Sequence, residues 1–287
     1  MIDFNQGLTD INKFGGSEKK ITISLDGDFY MVKFPDPIRS KNNLLSYMNN
    51  QFSEYIGCKI FESTGVKTQD TVLGFYTNDE GKKKIVVGCK DFTQAGSMLY
   101  EFSKLAVGLH QTDKKITASI EDILLIIDSN DSIADKESIK NSFWDMFVID
   151  ALIGNSDRHF DNFGLVVRDN VIEFAPVYDC GSSLGALLSD DSMDCLMNSQ
   201  TDFKEAEFNI TSCFSYKGKR IFYHEIFKKP PDDLIAAIKR ITPRIDMNKI
   251  NDIIENTPYI SDVRKTYLKK AIALRFDQII YPAYKKH

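Results

Sequence analysis

The chain has 287 residues, with 36 lysines and arginines against 41 aspartates and glutamates, and a formal net charge of -5. This length allows two lobes with a cleft between them or one large domain. The acidic balance gives no basic excess that would favour nucleic acid or an anionic membrane, so neither is an expected partner. The 5 cysteines form no CxxC pair, which predicts reduced thiols and no complete disulfide framework.

The first residues are not predicted to form a secretory signal. Residues 1–15 contain Asp3 and Asp10 and no apolar block. No segment approaches the ~20 consecutive apolar residues that span a bilayer. We therefore expect a chain made in the cytoplasm, and any export would use a route that needs no signal peptide.

Residues 1–92 are predicted to form mostly antiparallel sheet with one helix. A loop with Gly15-Gly16-Ser17 leads into an alternating strand, whose backbone N–H groups could approach phosphate oxygens closely. A Gly-Gly-Ser turn is more often a plain connector, and the GxGxxG spacing is absent. The elements predicted here are strands over 21–25 and 29–34 around Asp26-Gly27-Asp28, a helix over 43–64 ended by Gly65, and strands over 71–76 and 84–88.

Lys33 lies on the second strand between Val32 and Phe34, an unusual place for a cation unless it faces a cleft. Its ammonium group could bind the α- and β-phosphates of a nucleotide, with Glu54 on the following helix holding it in position. The plainer alternative is an edge-strand lysine and a helix glutamate that are both in water.

Residues 93–287 are predicted to be mainly helical. Residues 181–218 are polar and weakly periodic, which predicts a mobile loop segment, and residues 284–287 predict a short solvated tail. Trp144 is expected in the core. The predicted helices cover 97–110, 119–128 with Ser119 and Asp122 as a capping box, 135–153 ended by Gly154, 231–241, 247–256 and 261–280.

The segment from Gly154 to Asn162 carries the most chemical information. Asp157 has Asn162 five positions later, so one tight loop can orient an attacking hydroxyl with the carboxylate and hold magnesium with the amide oxygen. The apolar runs that follow predict a hairpin, which would fold Asp179 back beside Asp157. Because Mg²⁺ prefers oxygen donors, Asn162 and Asp179 are predicted metal ligands and Asp157 a base or orienting group. An Asx-rich turn that caps the preceding helix would explain one of these residues but not the set.

Neighbouring residues have more ambiguous roles. His159 could support the loop by hydrogen bonding or stabilise developing charge, and a purely structural histidine is an equal alternative. Arg158 is predicted to anchor the loop or a phosphate, and Cys180 to pack without reacting. The other three histidines show no metal-ligand spacing with the cysteines and are expected at the surface or in packing contacts: His110, His224 and His287.

With these residues in hand, the chain resembles the HipA-like serine/threonine kinases over nearly its whole length, and most closely a member that consists of the kinase alone. The resemblance implies an α+β, two-lobed protein-kinase-like fold, with a small antiparallel-sheet lobe at 1–92 and a larger helical lobe at 93–287. The matching segments are Gly15-Gly16-Ser17-Glu18-Lys19, Val32-Lys33, Glu54-Tyr55, Asn155-Ser156-Asp157-Arg158-His159 through Asn162, and Pro176-Val177-Tyr178-Asp179.

The resemblance also implies an activity. ATP and Mg²⁺ would be the cofactors, and the γ-phosphoryl group would pass to a serine or threonine hydroxyl of a protein substrate, including the chain's own. Residues 86–92 would form the hinge whose backbone pairs with adenine at Lys90 and Phe92. Autophosphorylation would fall on Ser17 or on the serines after Gly181.

The chain also departs from known patterns. The His-Arg-Asp order of ordinary protein kinases is inverted to Asp157-Arg158-His159, and the Asp-Phe-Gly triplet reads Asp179-Cys180-Gly181. Full-length family members carry an additional N-terminal subdomain that contacts an antitoxin, whereas about fourteen residues precede the phosphate loop here. Neither an antitoxin partner nor DNA recruitment is therefore expected.

Two other functions remain open. A lipid or small-molecule kinase is one, because Asp-Arg-His-x-x-Asn also occurs in phosphoinositide kinases, although the acidic charge and the lack of a basic membrane-facing cluster argue against it. A nucleotide-binding interaction protein without turnover is the other. The complete set of base and metal residues argues against that second alternative.

Overall fold

The computed structural model describes residues 1–10, 20–35, 49–93, 96–106 and 119–287. Its strands are β1 (Ile2–Asp3), β2 (Leu8–Asp10), β3 (Lys20–Leu25), β4 (Asp28–Lys33), β5 (Thr71–Thr77), β6 (Lys83–Lys90), β7 (Met98–Glu101), β8 (Gly164–Arg168), β9 (Val171–Phe174), β10 (Thr211–Tyr216) and β11 (Lys219–Phe222). Its helices are α1 (Asn50–Ser63), α2 (Phe102–Ala106), α3 (Ile120–Ser129), α4 (Lys136–Ile153), α5 (Asp190–Met197), α6 (Gln200–Phe208), α7 (Tyr223–Lys228), α8 (Asp232–Ile241), α9 (Met247–Glu255), α10 (Asp262–Arg275) and α11 (Tyr281–Lys286). Within these ranges, none of the helices combines the length and apolar character needed to cross a membrane.

Six of the described strands form the sheet of the N-terminal part, in the order β1-β5-β6-β4-β3-β2. The predicted hairpin of β3 and β4 is confirmed, with Ile21 opposite Val32 and Leu25 opposite Asp28. Its turn has a positive φ at both Asp26 (54°) and Gly27 (87°), the backbone that a two-residue hairpin turn requires. The strands predicted over 71–76 and 84–88 are confirmed as β5 and β6.

One face of this sheet is closed by Phe4, a residue for which no structural role was predicted. Phe4 is fully buried and packs with Val32 and Val86. A Cβ at Gly88 would lie 2.3 Å from the Phe4 ring, and one at Gly74 would lie 2.5 Å from it. Both positions therefore need glycine because the ring lies directly on the backbone of β5 and β6.

The helix α1 lies on the other face of the sheet. Its Phe52 contacts Leu73, Val87 and Cys89, which project from β5 and β6. The predicted helix over 43–64 is therefore present from Asn50 onward, and its first six residues lie outside the described ranges. This packing fixes the distance between α1 and β4, the neighbour of β6 in the sheet.

The buried helix α4 forms the centre of the helical part. The Asp135 side chain caps it by accepting from the Ser138 N–H at 2.9 Å, and Gly154 ends it with a φ of 67°. The predicted N-cap of α3 is confirmed as well, since Ser119 Oγ accepts from the Asp122 N–H at 3.0 Å. Trp144 is buried in this core, as expected.

Three predictions for the helical part were wrong. Residues 97–110 were expected to form a helix, yet they begin with β7, which pairs antiparallel with β8, and only α2 follows before the described range ends at 106. A Cβ at Gly164 would lie 2.3 Å from the Tyr100 carbonyl oxygen, so this glycine lets the two strands approach. The backbone N–H and C=O groups of β7 are satisfied by hydrogen bonds to β8. The spacing of apolar residues within 97–110 does not reveal this distant partner.

The mobile loop expected over 181–218 contains instead α5, α6 and β10. The serines that suggested a loop cap these helices: Ser189 accepts from the Ser192 N–H and Ser199 from the Asp202 N–H. Met193 and Phe214 are fully buried and anchor the segment in the core. The predicted tail at 284–287 is also mostly helical, because α11 continues to Lys286.

Candidate active site

Three charged side chains from distant parts of the chain meet between the sheet and the helices. The Lys33 Nζ on β4 lies 3.0 Å from Glu54 Oε2 on α1 and 2.8 Å from Asp179 Oδ1. Glu54 is fully buried, whereas 37% of the Asp179 side chain is exposed. The unusual position of Lys33 between apolar neighbours is thus explained by a charged cleft. Of the two alternatives stated for Lys33, the structure has the one in which it pairs with Glu54, not the edge-strand lysine in water.

Asp179 has an electrostatic environment that keeps it ionised. Burial opposes ionisation, but the Lys33 ammonium and then the Arg158 guanidinium hold the pKa of Asp179 below its usual value. Its backbone has a φ of 58°, a conformation that residues other than glycine rarely adopt. An anionic oxygen facing a cleft next to a cation is a suitable donor for a divalent metal ion.

Arg158 anchors the loop and is not available to a phosphate, because it is fully buried. Its Nε and Nη2 each donate to the Asp150 carboxylate at 2.9 Å, and its Nη1 donates to the Asn162 carbonyl at 2.9 Å. Nη1 also donates to the carbonyls of Tyr178 and Asp179. One guanidinium therefore joins the loop at 155–162 to the segment that carries Asp179.

Asp150 is a supporting residue of the site that sequence reasoning missed. It lies on α4, is fully buried, and raises the pKa of Arg158 well above its usual value against the opposing effect of burial. A second loop residue depends on it, since Asn155 Nδ2 donates to Asp150 Oδ1 at 3.0 Å. The available signal was a single charge within the apolar run at 146–153.

Asp157 and Asn162 are joined within the loop. Asn162 Nδ2 donates to the Asp157 carbonyl at 2.7 Å, which leaves the Asn162 amide oxygen as the atom for a cation. Burial raises the pKa of Asp157, while His159 lowers it and Asp179 raises it. Ser182, predicted only as one of the serines that could accept phosphate, donates from Oγ to Asp157 Oδ2 at 3.4 Å.

His159 has a different environment from Asp157. The Asp161 N–H donates to His159 Nδ1 at 3.3 Å, and 43% of the His159 side chain is exposed. The ring therefore accepts a hydrogen bond from the loop backbone, which fits the prediction that His159 supports the loop. It also lowers the pKa of Asp157. Of the other histidines, His224 packs with its ring 4.4 Å from Phe208, whereas His110 lies outside the described residues.

The donor set is suited to magnesium. The Asn162 amide oxygen and the Asp179 carboxylate are hard oxygen donors, and Mg²⁺ takes its remaining ligands from phosphate oxygens and water. In the described ranges, no three Cys, His, Asp or Glu side chains gather into a separate metal site. All five cysteines lie in these ranges and are free thiols, as expected, and Cys180 is buried.

The predicted adenine contacts are constrained by existing hydrogen bonds. The Lys90 N–H donates to the Asp70 carbonyl at 2.8 Å, and the Lys90 carbonyl accepts from Gln69 Nε2 at 3.0 Å. Lys90 could therefore contribute only the second lone pair of its carbonyl. The Phe92 N–H has no partner within the described residues, while Gly15, Gly16 and Ser17 of the predicted phosphate loop lie outside them.

Comparison with known proteins decides the family. The family model of the HipA-like C-terminal domain matches residues 13–246. The serine/threonine-protein kinase CtkA of Helicobacter pylori strain J99 is 37% identical over 274 residues, which are 93% of this chain and 82% of CtkA. The chain is a protein kinase of the HipA-like family. The expected resemblance to this family, and to CtkA within it, is confirmed.

Solved structures agree with this assignment. The crystal structure of the H. pylori proinflammatory kinase CtkA matches with a TM-score of 0.89 and 36% identity, covering 99% of this chain and 97% of that one. A HipA chain, from the Shewanella oneidensis MR-1 complex of HipA, HipB and operator DNA, matches with a TM-score of 0.59 over 96% of this chain and 67% of its own length. Its 14% identity shows a shared fold alone. The two-lobed α+β kinase-like fold is thus confirmed, with a sheet-rich lobe and a helical lobe; the boundary near residue 92 stays a prediction.

Proposed function

We propose that the chain is an ATP- and Mg²⁺-dependent serine/threonine protein kinase. The observation that carries this proposal is the placement of Lys33, Glu54 and Asp179 in one ion cluster beside the loop of Asp157. Phosphoryl transfer needs positioned cations and an oriented acceptor more than it needs covalent chemistry by the protein. The name of the relative CtkA supports serine and threonine as the acceptors.

Each polar group of the cleft then has a role. Lys33, held by Glu54, would bind nucleotide phosphates, and Asn162 and Asp179 would hold magnesium. Bound magnesium would neutralise charge on the phosphoryl group as it is transferred. Asp157 would accept a hydrogen bond from the acceptor hydroxyl and so orient its oxygen for attack, with His159 modulating the charge of Asp157.

The remaining nucleotide contacts come from the sheet-rich lobe. The backbone at Gly15, Gly16 and Ser17 would approach the phosphates. In the hinge, the Lys90 carbonyl would accept from the adenine amino group and the Phe92 N–H would donate to a ring nitrogen. The Phe92 ring lies 5.8 Å from the Tyr178 ring, and this pair links the hinge to the segment that carries Asp179.

Autophosphorylation belongs to the same proposal. Its acceptors would be Ser17 or a serine after Gly181, and Ser182 is the first serine of that segment, 3.4 Å from Asp157 Oδ2. Phosphopeptide mapping after incubation with ATP would test this part. Phosphate found only outside these positions would remove it and leave the kinase assignment in place.

The decisive experiment measures transfer from radiolabelled ATP to protein and lipid acceptors in the presence and absence of Mg²⁺. We expect incorporation into protein by the wild type and its loss in Asp157→Ala and Asp179→Ala, with unchanged circular dichroism as the folding control. Equal incorporation by the wild type and both variants would overturn the proposal. Incorporation into lipid alone would establish the phosphoinositide-kinase-like alternative instead.

A further inference from the structure

The hairpin of β10 and β11 is fixed against the candidate catalytic loop. The ring of Phe214 lies 5.9 Å from that of Phe163, and Tyr223, directly after the hairpin, donates from its hydroxyl to the Asn155 carbonyl at 2.6 Å. Both contacts are buried. The hairpin therefore has a set position relative to Asp157, two residues beyond Asn155.

Cys213 marks the face of this hairpin that is not packed into the core. Ser212 and Phe214 are fully buried, and Cys213 between them is half-buried on the opposite face. Burial and the nearby Asp157 carboxylate raise the pKa of the Cys213 thiol, whereas Arg220 lowers it. Arg220 on β11 lies opposite Ser215, two positions from Cys213, so register and electrostatics together put Cys213 and Arg220 on one side of the hairpin. The contacts of Phe214 and Tyr223 fix this hairpin against the loop of Asp157.

The hairpin carries a net positive charge, whereas the chain as a whole is acidic. Its residues 211–222 include 3 cations, Lys217, Lys219 and Arg220, and no carboxylate. All three are exposed, and no described carboxylate forms an ion pair with Lys219 or Arg220. The turn between the strands is held in place because Glu121 Oε1 accepts from the Lys217 N–H at 2.7 Å.

We propose that this basic hairpin binds the protein substrate and selects acceptors that carry aspartate or glutamate close to the target hydroxyl. The inference rests on the proposed kinase function and adds a substrate class to it. When the acceptor hydroxyl is at Asp157, a carboxylate a few residues away can reach Arg220, whose guanidinium binds carboxylates in a bidentate geometry. Lys217 and Lys219 extend the positive field along the hairpin and attract an acidic segment before it docks.

An acidic peptide fits this surface better than a nucleic acid or a membrane. Nucleic-acid and anionic-lipid surfaces are typically bound by larger sets of cations spread over a face. Here three cations occupy one hairpin of a chain whose net charge is -5. The hairpin that carries them is fixed against the loop of Asp157, where a substrate chain would present its hydroxyl.

The test compares three synthetic serine peptides that differ only in the residues flanking the serine, which are Glu, Gln or Lys. The enzymes are the wild type, Arg220→Gln, Arg220→Glu, and Lys239→Gln as a control for loss of an exposed cation on α8. We expect Arg220→Gln to raise the KM for the Glu peptide about fivefold, the effect of one exposed charge pair. The kcat, the KM for ATP and the KM for the Gln peptide should not change, and Arg220→Glu should prefer the Lys peptide.

Three results would overturn the inference while the kinase function stands. They are equal KM values of the wild type for the Glu and Gln peptides, an equal rise for both in Arg220→Gln, and the same change in Lys239→Gln. Single-stranded DNA or phosphatidylserine vesicles could also compete with the substrate more strongly than the Glu peptide does. If this competition is lost in Arg220→Gln, the hairpin binds that other partner, and the inference of an acidic peptide is contradicted.

Failure of the proposed function gives a different pattern, in which the wild type phosphorylates no peptide or protein at all. The hairpin is then tested by binding alone. Fluorescence anisotropy of labelled Glu and Gln peptides should show tighter binding of the Glu peptide that depends on Arg220. Equal binding of the two peptides would contradict the inference there too.

Discussion

Two groups of buried charges support the candidate active site, and they differ in how completely they are satisfied. In the cleft, the ion pairs among the described residues join one ammonium group, that of Lys33, to two carboxylates, those of Glu54 and Asp179. Beneath it, Arg158 shares its protons between Asp150 and three backbone carbonyls, and both side chains are fully buried. The first group can still bind a cation, whereas the second is complete.

This difference separates groups that are poised for a ligand from those that hold the structure. An excess carboxylate near solvent attracts magnesium and the nucleotide that accompanies it. A complete buried pair gains nothing from a ligand, but it leaves a costly unpaired charge if one partner is removed. Four variants or conditions should distinguish the two groups, beginning with the largest effect.

Asp150→Ala should destabilise the protein by about 3–5 kcal/mol, because it leaves the Arg158 guanidinium buried without a counter-ion. Urea denaturation measures the loss. The matched control is Asp145→Ala on the same helix, since Asp145 also pairs with an arginine, Arg240 at 2.6 Å, but nearer the surface. This control should cost about 1 kcal/mol. Equal losses in the two variants would contradict the distinction between complete and solvent-accessible pairs.

Lys33→Met should lower kcat/KM by about 10²–10³-fold, the size expected when a preorganised charge is removed from a transition state. Stability should change much less, because one of the two carboxylate partners of Lys33, Asp179, is partly exposed to solvent. Steady-state kinetics and thermal denaturation of the same sample separate the two effects. A variant that keeps its activity, or that unfolds without losing specific activity beforehand, would place Lys33 with the structural group.

Saturating Mg-ATP should stabilise the wild type by about 2.7 kcal/mol at a hundred times its dissociation constant. Asp179→Asn should lose the magnesium-dependent part of this stabilisation, measured as the difference between Mg-ATP and ATP with EDTA. Asp161→Asn, which removes an exposed carboxylate from the same loop, should behave like the wild type. An unchanged magnesium effect in Asp179→Asn would remove Asp179 from the metal site.

The smallest effect should come from Ser182→Ala, which removes the hydrogen bond at 3.4 Å to Asp157. We expect a fall in kcat of about two- to fivefold, the usual net contribution of one hydrogen bond. Ser182→Thr should restore the rate because it keeps the hydroxyl. A loss of thermal stability without a change in kcat would mean that Ser182 supports the local fold only.

How far the sequence could predict this site depends on how local each feature is. The relation of Asp157 to Asn162 and the hairpin that returns Asp179 lie within one short segment, so spacing and residue type were sufficient. Asp150 was missed because its role depends on the position of Arg158, which only the folded loop defines. Lys33 and Glu54 lie on different elements, so their sequence spacing gave no sign of a contact. They could be proposed as a pair only because a phosphate-binding lysine needs an opposite charge nearby.

The same reasoning explains the fold predictions. The caps of α3 and α4 were predictable because a helix end is encoded by its own residues. The strand β7 was missed because it needs β8 as a partner, more than sixty residues away. The loop expected over 181–218 was wrong because Ser189 and Ser199 are equally compatible with turns and with helix caps. The burial of Met193 on α5 against the core, which local composition does not reveal, favours the helix.

The contact of Phe4 with Gly74 and Gly88 ties the start of the chain to two positions far along it. Among natural variants, a bulkier residue at either glycine should be accompanied by a smaller one at position 4, because neither change is tolerated alone. The three sites would then evolve as one coupled unit. An N-terminal affinity tag is compatible with this arrangement only if its linker leaves the phenylalanine ring in place.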